Sequence, residues 1–397
     1  MRGGWVKRKL GDVAIIYNGN SINAEEKKKK YLGQQQGLPF IATKDVGNDG
    51  SIDYGNGVRI PNHTGFKIAH PNSVFVCAEG GSAGKKVAYV EQEVCFGNKL
   101  FALQPKENSL NGRYLYYYVQ SNAFKEHFRV QITGIIGGVS SKKFKDIPIV
   151  ISSLPEQQRI VDILDQEFSK IDELKAKAEK SIQAAKDLFA SIQTLVLDNR
   201  SWKVYKLNDV CNLITDGTHK TPKYQESGVP FLSVKNITGG FIDMVNTRFI
   251  SEEEHKELSK RCKPEYGDIL YSKVGTTGVA KVIDAYDEFS IFVSLALLKV
   301  KNDIVKSTML ERILNAPYVR KQAQQRTRGT ANKNFVISDI KQVCVRIPEY
   351  DEQEKIEQLI DSYSEMIIAI LQNYQKSLTL CDDLKQALLR KAFNGEL

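Results

Sequence analysis

This 397-residue chain has no long apolar run. The longest lies around Ile291 to Leu298 and stops at Lys299, far short of the roughly 20 residues a membrane-crossing helix needs. Basic residues near the N-terminus have no apolar stretch behind them, so no secretory signal is expected. The six cysteines (Cys77, Cys95, Cys211, Cys262, Cys344, Cys381) include no CxxC pair. They are expected to be free thiols in a reducing cytoplasm rather than a disulfide framework or a zinc site. The five histidines (63, 70, 127, 219, 255) form no HExxH and no metal-like spacing with cysteine. Gly80 to Lys86 invites comparison with a phosphate-binding loop and fails it. Glu79 stands where the first glycine belongs, and Lys86 where a Ser or Thr would hold magnesium. There is no GxSxG elbow, no dinucleotide fingerprint after a strand, and no proline-aromatic tetrapeptide suited to gripping a flipped base. The expectation is a soluble, cytoplasmic protein with no catalytic residues, no metal site and no cofactor of its own.

What the chain does have is itself, twice. Trp5-Val6-Lys7-Arg8-Lys9-Leu10-Gly11-Asp12-Val13 returns as Trp202-Lys203-Val204-Tyr205-Lys206-Leu207-Asn208-Asp209-Val210, and Glu156-Gln157-Gln158-Arg159-Ile160 returns as Glu352-Gln353-Glu354-Lys355-Ile356. A repeat of about half the chain is too long for a solenoid unit and implies two related domains. Charge divides the same way. The total of +9 comes from residues 1–154 (21 Lys and Arg against 12 Asp and Glu) and 201–350 (23 against 17), while 155–200 (7 against 9) and 351–397 (5 against 9) are acidic. Basic surfaces confined to two segments suit a polyanion such as DNA or RNA.

The acidic segments read as helices with a heptad seam. It runs through Ile160, Leu164, Ile171, Leu174, Leu188 and Ile192 in the first, and Ile356, Ile360, Ile367, Ile370, Leu384 and Leu388 in the second. Neither run is interrupted by Pro or Gly between Pro155 and Arg200 or between Pro348 and Asn394. About 40 residues make each helix ~60 Å long. The simplest partner for one helix is the other, antiparallel and within the same chain, with the two copies related by an approximate two-fold; pairing with another chain is the alternative. Four segments follow: a domain over 1–154, a helix over 155–200, a second domain over 201–350 and a second helix over 351–397.

The domains read as mixed α/β (α+β). Strands are expected at Leu38–Ile41, Ser73–Cys77, Val94–Phe101 and Ile147–Val150, and in copy two at Pro230–Val234, Asp268–Lys273, Ile291–Val300 and Val343–Ile347. Helices are expected over Gly112–Phe128 and Ser307–Gln325, with tyrosines 114 and 116 to 118 as packing residues. Glu25 to Lys30 reads as a solvated loop or helix end.

Candidate contacts to DNA are residues that pair flexible glycine with hydroxyl and cationic side chains. In copy one they are Ser82, Lys85 and Lys86 of the glycine loop, Lys142 and Lys143, and Lys44 after the Pro-Phe strand. In copy two they are Lys273, Thr276 and Thr277 of the matching loop, Lys220 and Lys223, Lys235, and Arg326, Arg328, Asn332 and Lys333. Arg and Asn are the side chains able to pair bidentately with guanine and adenine edges. A tight structural turn is the competing reading of each glycine loop.

Together, the Trp-x-x-x-Lys-Leu-x-Asp-Val openings, the Pro-Phe strands at Pro39 and Pro230, the glycine loops, Ile147-Pro148-Ile149, the Glu-Gln motifs and the ending Leu384 to Leu397 resemble the specificity subunits of type I restriction–modification systems. The resemblance spans the whole chain. It implies two target-recognition domains, each reading one half of a bipartite site in double-stranded DNA, on helices that set the spacer and dock two methyltransferase subunits. It also implies that S-adenosylmethionine belongs to those subunits, and ATP with magnesium to restriction subunits. Against it stand a non-catalytic scaffold joining two adaptor domains, and an orphan methyltransferase or nuclease. Copy one has Asn20-Ser21-Ile22-Asn23 where copy two has a Thr-Pro, so individual contacts do not transfer between copies.

Overall fold

In the computed structural model, residues 4–106, 109–133, 137–285, 287–329 and 334–397 are described. They form two compact units. One comprises Met1–Ala178 with Gln375–Leu397, the other Glu179–Tyr374. Each unit therefore contains one α/β domain and a piece of both long helices, Leu154–Leu197 and Tyr350–Asn394.

The same fold is built in both units. The central sheet of the first is antiparallel, in the order Ala14–Asn18, Leu100–Pro105, Val74–Cys77, Val87–Tyr89. The second repeats it with Cys211–Asp216, Leu295–Val300, Ile269–Ser272, Ala280–Val282. Side chains alternate across the middle strand as strand geometry demands. Val74 and Val76 point into a core shared with the helices, whereas Phe75 and Cys77 point into a second core against a smaller sheet. Ile269 and Tyr271 divide from Leu270 in the same way. With both faces covered, the strands read as continuous apolar runs.

The repeated openings now have a physical account. Val6–Lys9 pairs with Pro148–Ile151, and Lys203–Lys206 with Cys344–Ile347, both antiparallel. Leu10 and Leu207 are fully buried. The Asp12 carboxylate accepts the Lys9 backbone N–H at 3.2 Å, and Asp209 accepts that of Lys206 at 3.2 Å. The aspartate thus closes the turn that leads from ribbon to sheet.

Two expected helices are each broken in two. Gly112–Gln120 and Asn122–Gln131 meet at Ser121, whose hydroxyl accepts the Phe124 N–H at 3.2 Å. Ser307–Asn315 and Pro317–Arg326 meet at Ala316, where Pro317 lacks the N–H needed to continue. The expected strands Val94–Phe101 and Ile291–Val300 also divide, into Val94–Phe96 and Leu100–Pro105, and Ser290–Ile291 and Leu295–Val300. In each case the chain turns from the small sheet to the large one. The tyrosines are packing residues as read: the Tyr114 hydroxyl donates to Val150 O at 2.9 Å, and burial pushes it well above the usual tyrosine range. Lys29 and Lys30 pair with Glu25 and Glu26 one turn back, at a solvated helix end.

The long helices pair within the chain and run antiparallel. In the first unit Asp172 meets Lys385 and, one turn on, Lys175 meets Asp382. Ile160, Leu164 and Phe168 share a core with Leu389, Ala392 and Phe393. In the second, Leu197 shares a core with Ile356 and Ile360. The expected seam is only partly buried. Ile160, Leu164, Ile171, Ile360 and Ile367 are buried, and Ile192, Ile356 and Leu388 half-buried, but Leu174, Leu188, Ile370 and Leu384 are exposed. A strict heptad drifts around a straight helix, and here the head of each helix turns its apolar face to its own domain as well as to the other helix.

The Glu-Gln motif makes that attachment. Gln157 and Gln353 are each fully buried. The Gln157 Oε1 accepts the Asn111 N–H at 2.8 Å, and its Nε2 donates to the carbonyls of Ser109 (3.1 Å) and Ser152 (2.9 Å). Gln353 accepts from Lys306 N–H at 2.8 Å and donates to Ile304 O (3.1 Å) and Pro348 O (3.3 Å). Eight residues on, Asp165 takes Arg113 and Tyr117, and Asp361 takes Arg312. Gln157→Leu and Gln353→Leu each take the partner from three backbone groups, most of them part-buried, at ~1–3 kcal/mol per group before relaxation. Each should cost about 3 kcal/mol in urea unfolding of the full chain; a loss below about 1 kcal/mol would show that the amide is not the fastening.

Candidate nucleic-acid interface

The lysine turns are built identically. Thr43–Asp45 and Val234–Asn236 are single 3-10 turns after the Pro-Phe strands. Asp45 accepts the Ala42 N–H at 2.8 Å, and Asn236 accepts that of Ser233 at 2.9 Å. The cap directs Lys44 and Lys235 outward, and both are exposed.

The glycine loops are structural turns that also assemble the candidate surface. Gly84 (φ 68°) and Gly278 (φ 83°) lie in the left-handed region that favours glycine. A Cβ on Gly84 would sit 2.5 Å from the Phe128 ring, and one on Gly278 would sit 2.9 Å from the Ala323 Cβ. Only glycine lets the loop press on the helix below. Backbone bonds then draw in the other candidates. In the first unit Gly80 N–H donates to Gly137 O (2.8 Å) and Val139 N–H to Ala78 O (3.1 Å), which brings Ser140–Lys143 alongside. Lys86 Nζ donates to Thr43 O at 3.1 Å and ties in the Lys44 turn. In the second unit Phe335 N–H donates to Lys273 O at 2.7 Å. The Ser294 hydroxyl accepts Val234 N–H at 3.0 Å while its carbonyl accepts Lys273 N–H at 2.9 Å.

Thus Lys44, Ser82, Lys85, Lys142 and Lys143 belong to one connected loop cluster, and Lys235, Thr276, Thr277, Arg326 and Arg328 to another. Lys44, Lys85, Lys142, Lys220, Lys223, Lys235 and Thr276 are exposed. Ser140 caps the short helix carrying Lys142 and Lys143, its hydroxyl accepting the Lys143 N–H at 3.4 Å. Thr277 and Thr327 share a hydroxyl contact at 3.0 Å, and Arg328 pairs with Asp339 at 3.1 Å. Asn332 and Lys333 lie outside the described residues.

Lys273 is not the surface cation it was expected to be. Its ammonium lies 2.7 Å from Asp216 Oδ2, and both side chains are almost fully buried. Arg261 also bonds Asp216, and His219 approaches it at 3.2 Å. Burial alone would raise the Asp216 carboxyl, but Lys273, with His219 and Arg261, holds it below the usual carboxylate range. In the first unit the matching positions are Asn18 and Ala78. Asn18 pairs with Phe101 and Asp216 with Ala296, each at the same place in the sheet. The cleft there is open, about 650 Å3, and lined by Asn18, Asn98, Thr133 and Ser140 among others. Asp216 and Arg261 were missed in the sequence; only comparing Asp216-Gly217-Thr218 with Asn18-Gly19-Asn20 marks the difference.

One group imitates catalytic geometry. His255 Nδ1 lies 2.9 Å from Ser290 Oγ, with Glu288 at 3.7 Å from Nε2. Ser290 is only 1% exposed, within a paired strand, so no substrate reaches it. All six cysteines are free, and burial pushes the Cys211 and Cys262 thiols up to about 12. Among the described residues no cluster of His, Cys, Asp or Glu could hold a metal ion, and no helix is long and apolar enough to cross a membrane.

The Asp216 network carries a pH signature. A carboxyl held below its unfolded value of about 3.9 stabilises the fold above that pH and loses its contribution as pH falls through the folded value. Asp216→Asn should therefore flatten the acid limb of stability below about pH 4. Lys273→Met, which leaves the carboxylate without its buried partner, should cost about 3 kcal/mol at pH 7. Urea midpoints across pH measure both. An unchanged acid limb in Asp216→Asn would count against the network.

A family model described as the type I restriction modification DNA specificity domain matches residues 2–184 and again 199–380. The chain is 23% identical to the type I restriction enzyme EcoBI specificity subunit of Escherichia coli, over 99% of this chain and 86% of that protein. It is 23% identical to the EcoKI specificity subunit of E. coli K12 over 99% and 89%, and 21% identical to the MjaVIII specificity subunit of Methanocaldococcus jannaschii over 91% and 87%. Its fold matches a chain from a type I R-M system (TM-score 0.78, 17% identity, 100% of this chain and 99% of that one). It also matches the HsdS subunit of Thermoanaerobacter tengcongensis (TM-score 0.55, 17% identity, 100% and 98%). Matched in both of its halves by one family model, this chain belongs to the type I restriction–modification DNA specificity family.

Proposed function

We propose that each unit of this chain reads one half of a bipartite DNA site, that the long helices set the spacer, and that methylation and cleavage are done by other subunits. The observation that carries this reading is the loop assembly built twice on one scaffold with different side chains. Lys44 and Lys235 stand on identical turns, while the neighbouring pairs Asn18/Ala78 and Asp216/Lys273 are chemically unlike. Cations on the shared turns suit phosphates, which position without specifying; divergent neighbours suit different base edges. Two modest interfaces on one chain gain affinity through effective concentration when the half-sites match their span.

The helices offer a docking surface for methyltransferase subunits. Leu174, Leu380 and Leu384 in the first unit, and Leu188, Leu195, Leu359 and Met366 in the second, are between 45% and 82% exposed. Large apolar side chains exposed in that number on two helices support this reading. The relatives are named as specificity subunits of type I restriction enzymes, and a subunit of that kind works beside partners. The chain itself is non-catalytic. S-adenosylmethionine belongs to the methyltransferase subunits, and ATP with magnesium to restriction subunits.

Exchanging residues 201–350 for the corresponding domain of a relative should change one half-site and leave the other half and the spacer intact, read by mapping methylated positions. A change in both halves would overturn the two-reader model. Lys44→Ala should weaken binding to all sequences alike and reduce the slope of log K against log salt by about 1. Leu188→Glu with Leu195→Glu should weaken co-purification of the methyltransferase subunit about tenfold or more, from the loss of two apolar anchors. DNA binding by the chain alone should be unchanged; full assembly in that variant would place the docking surface elsewhere.

A further inference from the structure

The second unit contains a cavity that the loop cluster does not account for. It has a volume of about 350 Å3 and lies beside the Lys235 turn, within the ~300–1,000 Å3 range of small-ligand pockets. Three aromatic rings wall it. Phe231 is buried at its base, in edge contact with Tyr224 (6.0 Å) and near Phe292 (6.1 Å). Tyr224 is 38% exposed, and Phe292 is half-buried. These two present ring surface to the cavity instead of filling it, unlike core aromatics. The Arg248 guanidinium covers one face of Tyr224 at 4.3 Å, which fixes the ring and places a positive charge at the mouth. Lys235 and Asn246, both exposed, complete the rim with an ammonium and an amide.

We propose that this pocket receives a single unstacked nucleobase of the DNA half-site read by the second unit. The inference rests on the DNA-reading function above and names a site within it. Aromatic walls grip the π-face of any base, whereas amide and ammonium groups at the rim meet its polar edge. The cationic mouth suits the phosphates on either side of an extruded nucleotide. Continuity with the reading surface is direct. Lys235 belongs to both, Tyr224 follows Lys223, and Ser294, which lines the cavity, bonds the backbone of Val234 and Lys273.

The first unit shows that the pocket is not required by the fold. Gly97 N–H donates to Ile41 O at 2.9 Å as Phe292 N–H donates to Leu232 O at 2.9 Å, so Gly97 occupies the position of Phe292. One aromatic wall is therefore missing from the first unit at a place where the backbone is the same. The shared backbone hydrogen bond forms with glycine there, so the turn itself does not require a phenylalanine ring. The ring is a feature of one reader.

The experiment uses the full chain assembled with its methyltransferase subunits, on duplexes containing the mapped site. An abasic sugar is placed opposite each position of the second half-site in turn, which removes the pairing that opposes extrusion. At one position other than the methylated base the wild type should bind about tenfold or more tightly than on the intact duplex. Phe292→Gly, the residue the first unit already carries, should abolish that gain, and so should Tyr224→Ala. Both variants should match wild type when the first half-site is scanned, which shows that they fold. If no position tightens, or only the methylated one, where the methyltransferase itself extrudes a base, or if the gain at the other position survives Phe292→Gly, the proposal is overturned. Failure of the wild type to bind even the intact duplex would instead overturn the DNA-reading function on which the pocket depends.

Discussion

The structure depends on one buried amide used twice. Gln157 and Gln353 stand at the heads of the long helices, and each makes three hydrogen bonds to main-chain atoms beside it. The partners are Ser109, Asn111 and Ser152 in one unit and Ile304, Lys306 and Pro348 in the other. Because the glutamine reads backbone and not side chain, this part of the attachment makes no demand on the side chains at those positions, unlike the Asp165 and Asp361 pairs beside it. A buried glutamine left unpaired is costly, so each domain and the head of its helix stabilise one another. A protein whose use is to hold readers on helices needs that bond before any reading surface matters.

Comparing the two copies separates what the fold requires from what varies. Gly19 and Gly217 both follow the first strand of the central sheet, and a Cβ on either would lie 2.0 Å from a carbonyl oxygen, of Phe96 or Ile291. Nothing but glycine fits in either copy. Next to them, Asn18 and Ala78 in one unit become a buried Asp216–Lys273 pair in the other. A buried pair costs desolvation that only good geometry offsets, and here Arg261 and His219 add to it. The scaffold positions are constrained by backbone approach, and the neighbouring positions by whatever each surface must meet.

The long helices, the innermost strands and the duplicated openings were legible because they rest on local rules: apolar period, proline and glycine punctuation, and a capping aspartate. The outer strands of the central sheets, Ala14–Asn18 and Val87–Tyr89 with Cys211–Asp216 and Ala280–Val282, were not. Nor were the breaks at Ser121 and Ala316, since an amphipathic pattern runs through both and only the cap geometry interrupts it. The heptad seam was overread. Its apolar positions are real, but Ile160 and Leu164 face the domain core, and Leu174, Leu188, Ile370 and Leu384 face outward. Period shows that a helix has an apolar stripe; it does not say which neighbour covers it.

The sequence by itself determined that there are two copies, that each pairs a basic α/β domain with an acidic helix, and which family they resemble. The first two follow from composition and spacing and the third from the likeness of the repeated motifs, all of which the chain carries in one dimension. Tertiary structure alone decided which charges reach the surface. Lys235 and Lys273 look alike in sequence, yet one stands on a capped turn in solvent and the other is closed against Asp216, 57 residues away along the chain. It also decided that Tyr224, Phe231, Arg248 and Phe292 enclose one cavity. The physical reason is the same in both cases. Desolvation and stacking act between residues that only folding makes neighbours.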